Sequence, residues 1–100
     1  MLKTLSLTIA LFTGMLIYAQ DLNYNFQYEF ALTGITESGP AKMEIEAIRD
    51  LMGVRVVKFN DFSNIFIVLT HLEFDPAELL MKLESNGLDI DGEIVKIDIG

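Results

Sequence analysis

A chain of 100 residues with a net charge of −8 and no cysteine is long enough for one domain and too short for two. Its acidic balance, with no Lys/Arg cluster to offset it, excludes nucleic acid and anionic lipid as partners. The absence of thiols excludes a disulfide framework, so packing alone has to hold the fold.

Residues 1–19 read as an export signal. Lys3 gives a positive start, the run from Leu5 to Ile17 is apolar apart from Ser6, Thr8, Thr13 and Gly14, and small Ala19 closes it. The run is short for a membrane span of about 20 residues, and no stop-transfer pattern follows. Cleavage is expected after Ala19, with Gln20 as the alternative, leaving residues 20–100 as a single periplasmic or secreted domain with no stable membrane span. Losing the signal's one Lys takes the net charge from −8 to −9.

From Tyr24 the hydrophobic period is two. Tyr24, Phe26, Tyr28, Phe30 and Leu32 fall on one face and Asn25, Gln27, Glu29, Ala31 and Thr33 on the other, which predicts a strand with one buried face. Gly34 and Ser38-Gly39-Pro40 interrupt it, and Pro40 suits the start of a helix. Ala41, Ile45, Ile48, Leu51 and Met52 then recur at helical spacing, with Lys42, Glu44, Glu46, Arg49 and Asp50 opposite and Gly53 as terminator.

Val54 to Phe59 and Ile65 to Thr70 are β-branched and aromatic runs joined by polar Asn60 to Asn64, the pattern of a hairpin. Asp75-Pro76-Ala77-Glu78 is a helix start: Asp75 can accept from first-turn amides, Pro76 has no amide to lose, and Glu78 takes the capping-box position. Leu79, Leu80 and Leu83 form the buried stripe and Asn86-Gly87 the stop. Glu93 to Ile99 alternates Ile94, Lys96 and Asp98 against Val95, Ile97 and Ile99, a final strand.

The order strand, helix, strand, strand, helix, strand predicts an α+β fold of the ferredoxin-like βαββαβ type: a four-stranded antiparallel sheet with both helices on one face. Phe26, Phe30, Val57 and Ile67 are expected beneath the helices. If Ile65, Ile67 and Leu69 point that way, the free face shows Val56, Phe66 and Val68.

Across about residues 26 to 98 the chain resembles the heavy-metal-associated domain family, the copper and soft-metal chaperones and N-terminal domains of metal-pumping ATPases. Gly34-Ile35-Thr36 stands for the start of its Gly-Met-Thr-Cys-x-x-Cys run, and Ile45-Glu46 for its helix signature. Gly53-Val54 with Val57 and Phe59 follows the second strand, Phe74-Asp75-Pro76 the lead into the second helix, and Asn86-Gly87-Leu88 replaces its usual exit. The resemblance implies metal transfer between paired cysteines. Here those positions fall on Glu37 and Pro40 counted from Gly34, or on Ser38 and Ala41 counted back from Ile45, and neither pair carries sulfur.

Glu37 offers one oxygen, short of the three or four ligands of a tight zinc site. His71, the only histidine, stands with Glu73 and Asp75 and would need all three to converge. Met43 and Met52 read as an exposed and a core residue. No metal site and no cofactor is therefore expected, with Glu37 and His71 as the candidate ligands if one exists. No nucleophile–base motif and no phosphate loop is present, which predicts a non-enzyme.

The expected function is that of a small exported interaction module, engaging protein or itself through the free sheet face at Val56, Phe66 and Val68 or through the 34–40 loop. The competing expectation is metal binding, or metal chaperoning, by ligands other than cysteine.

Overall fold

The structure, a computed structural model, describes residues 24–100. The expected export signal lies outside the described residues. Strand β1 spans Phe26–Leu32, and its alternation buries Tyr28, Phe30 and Leu32 on one side. Helix α1 covers Ser38–Met52, so Pro40 sits in the first turn, where its missing amide costs no helical bond. Glu37 precedes the helix in an extended conformation and gives it no side-chain cap. Gly53, at φ 67°, ends it by bonding its N–H to the Arg49 carbonyl at 2.9 Å.

Strands β2 (Val56–Asn60) and β3 (Ile65–Thr70) form the expected hairpin. The Asn60 side-chain oxygen accepts from the Phe62 amide at 2.9 Å, and Asn64 takes up a left-handed φ of 61° to close the turn. Helix α2 (Pro76–Ser85) begins as the sequence predicts, with Asp75 accepting from the Glu78 amide at 3.1 Å. Strand β4 (Ile90–Asp98) starts three residues before the expected Glu93. Its pairing with β1 shifts between Glu29 and Ala31, at a bulge where Gly92 adopts φ 91°.

The four strands make one antiparallel sheet in the order β2-β3-β1-β4, the α+β ferredoxin-like arrangement. Ala41, Ile48 and Met52 of α1 and Leu79 and Leu83 of α2 pack against Tyr28, Phe30, Val57, Phe66, Val68 and Ile94 to form the core. Phe66 lies between two aromatic neighbours, 6.1 Å from the Phe30 ring and 4.8 Å from that of Phe59. The Tyr28 hydroxyl donates to the Phe74 carbonyl at 3.1 Å and accepts from the Phe74 amide at 2.6 Å, pinning the lead into α2 to the centre of the sheet. No helix among the described residues is long and apolar enough to cross a membrane.

One expectation about this sheet is reversed. Phe66 and Val68 face the helices and are fully buried in the core, whereas Ile67 and Leu69 lie on the opposite side. The cause is register. Asn60 pairs with Ile65, so Val57 pairs with Val68 and Phe59 with Phe66, and directly paired residues share a face. Placing Val57 under the helices therefore places Val68 there too.

Candidate functional site: the open face of the sheet

The cross-strand register builds the helix-free face row by row. One row runs Val56, Leu69, Gln27, Ile97 across β2, β3, β1 and β4. The next runs Lys58, Ile67, Glu29, Val95. Of the residues expected on this face from the sequence, Val56 alone is there, half-buried on β2. Its apolar character comes instead from Ile67, Leu69, Val95 and Ile97. The first two are buried on central β3, while Val95 is 42 % exposed on outer β4.

Gln27 and Glu29 place a polar pair in the middle of these apolar rows. The Gln27 Nε2 donates to Glu29 Oε2 at 2.7 Å, and both residues are buried. Burial pushes the Glu29 carboxyl above its usual 4.5, and the hydrogen bond from Gln27 acts against that rise by favouring the charged form. Gln27 Oε1 is buried with no hydrogen-bond partner among the described residues. Both side chains sit where strand alternation puts polar residues on the solvent side. Alternation alone does not predict their burial.

The candidate metal ligands are held apart. Glu37 is exposed at the start of α1, beyond the C-terminal end of β1, while His71 lies beside Asn25 at the other end. Seven strand residues separate those ends, about 20 Å at the rise of an extended chain. His71 Nδ1 is 3.0 Å from Asn25 Oδ1, and its ring lies 4.9 Å from that of Tyr24. Glu73 forms an ion pair with Lys96, and Asp75 is engaged in capping α2. Met43 is exposed and Met52 is core. No group of three His, Asp or Glu side chains placed to hold a metal occurs among the described residues.

In the 34–40 loop, Gly34 adopts φ 83°, Ile35 tucks against the core and residues 36–40 are exposed. A depression of about 280 Å³ at one end of the open face is lined by Tyr24, Val54, Arg55, Leu69, His71 and Leu72, with Gly53 and Thr70. Its surface is mainly apolar, and the hydrogen bond of His71 goes to an amide rather than to a hydroxyl or carboxylate. That arrangement supplies no activated nucleophile. Compared with family models, curated proteins and solved structures, the chain matches none.

Proposed function

We propose that the chain is a small exported, non-enzymatic domain of the heavy-metal-associated type, lacking that family's metal-binding cysteines, and that it engages protein through the open sheet face. The observation that supports this is that the side opposite the helices leaves apolar residues accessible on both outer strands, exposed Val95 and half-buried Ile97 on β4 and half-buried Val56 on β2. Apolar residues left accessible on a sheet face can mark an interaction surface. Elsewhere Met43, Phe62 and Met81 are exposed on separate elements, Phe62 at the hairpin turn and the two methionines on different helices. Singly scattered residues of that kind need no partner.

Site-specific photo-crosslinking in the producing cell tests the reading. A photoreactive residue at Val56 or Ile97 should yield protein adducts that the same residue at exposed Lys42 or Glu46 on α1 does not. Equal yields at the two sets of positions, or none at either, retire it.

A further inference from the structure

We infer that Asn86 is a site of spontaneous modification, losing its side-chain amide as ammonia through attack by the Gly87 backbone nitrogen, and that the C-terminal turn of α2 blocks this reaction while it is closed. The inference is independent of what the sheet face binds. Asn86-Gly87 is the chain's one Asn-Gly step, and both residues are exposed. Glycine has no side chain to shield its nitrogen, so in an open chain this step reacts faster than the other asparagine steps. The Gly87 nitrogen gives up its proton to a solvent base and bonds to Asn86 Cγ. The Cγ–Nδ2 bond breaks, ammonia leaves and a five-membered imide closes. Water then opens the ring at either carbonyl, giving aspartate if the bond to Cγ is cut and isoaspartate if the bond to the main-chain carbon is cut. The sum is amide plus water to carboxylate plus ammonium.

The folded turn prevents ring closure. An imide needs Cβ and the next nitrogen on the same side of the Cα–C bond, and with substituents about 120° apart on the Cα of an L-residue that means a ψ of about −120°. Asn86 stands at φ −106° and ψ 16°, which turns the Gly87 nitrogen roughly 140° away from Cβ. The Asn86 Nδ2 donates to the Lys82 carbonyl at 2.7 Å and the Gly87 N–H to the Glu84 carbonyl at 3.1 Å, so leaving group and nucleophile are held by different carbonyls. Rotating ψ also carries the chain beyond it. Leu88 is buried in the core and donates to the Leu83 carbonyl at 3.0 Å, so it has to leave before the ring can close. The reaction therefore records openings of this turn and makes them lasting. A carboxylate at position 86 has no proton for the Lys82 carbonyl and sits at the negative end of the helix dipole. Isoaspartate further lengthens the backbone by a methylene just ahead of Leu88.

The test follows the tryptic peptide 83–96, in which Asn86 is the one side-chain amide, so a mass gain of acid over amide belongs to that residue. Protein expressed from the full chain and the free synthetic peptide are incubated side by side at neutral pH. The folded protein should lose the amide more slowly than the peptide by roughly tenfold or more, the factor set by how seldom the turn opens. Leu88→Ala, which loosens the turn's hold on the core, should quicken the loss in protein that keeps the wild-type circular dichroism. Met43→Ala, at an exposed position on α1, should not. Where Leu88→Ala does not fold, urea below the wild-type transition takes its place and should quicken the loss likewise. Loss from the folded protein at the peptide's rate, or a rate indifferent to the loosening used, overturns control by the turn. No loss from the free peptide overturns the site itself.

Discussion

At the scale of single residues, Glu29 is where solvation and hydrogen bonding oppose each other most directly. Burial disfavours its ionised form more than the Gln27 amide favours it, so the folded chain holds that proton to a higher pH than the unfolded chain, whose carboxyl titrates near 4.5. Between 4.5 and the raised value the folded state binds more protons, and stability falls as the pH rises through that window. Lys58, two strands away in the same row, and Asp91, paired with Ala31 on β4, lie on this face as well, and Arg55 and His71 line the depression at its end. Glu29→Gln removes the ionisation. Its stability relative to wild type is expected to improve from pH 4 to pH 7, as read from urea midpoints at the two values. A difference independent of pH would show that Glu29 titrates alike in both states.

At the scale of elements, the turns carry the local constraints. Gly53 closes α1 at φ 67°, and a side chain placed there would meet no atom within 4 Å, so the cost of adding one is purely conformational. Gly53→Ala should therefore lower stability by ~1 kcal/mol without changing the core, which a urea midpoint together with an unchanged near-ultraviolet spectrum would check. The same scale shows what the sequence could and could not reveal. β1 was legible because Gln27 and Glu29 interrupt its aromatic residues, and α2 because Asp75, Pro76 and Glu78 are chemically specific. β3 was not, since Ile65 to Leu69 are apolar without a break and alternation supplies no phase. The missing phase lay one element upstream, in polar Lys58: its partner across the hairpin is Ile67, so both take the open face. Alternation marks β4 only from Glu93, and Gly92 sits at a bulge beyond which pairing resumes toward Ile90.

At the scale of the whole molecule, one small core carries the fold. Phe66, with none of its surface exposed, is packed between Phe30 and Phe59 beneath the helices. Phe66→Asp would bury a carboxylate with no partner at a cost of several kcal/mol, most of the stability of a domain this size. That variant should be largely unfolded by circular dichroism, while Val56→Lys, half-buried on the other face, should retain a cooperative urea transition. Equal folding of the two would contradict the assignment of faces. The candidate surface is thus readable only after the register is known, because the residues that reach it are decided by hairpin pairing rather than by hydrophobicity. Last, the Asn25 carbonyl accepts from the Ile99 amide at 2.9 Å and the Gly100 amide at 3.2 Å, so residues 25 and 100 sit side by side at one end of the β1–β4 ladder. Tension applied between these two points acts across the strands and loads their hydrogen bonds one after another instead of all together. Pulled this way, the domain peels open from β4 inward and yields to a small force, and the first edge it bares is that of β1.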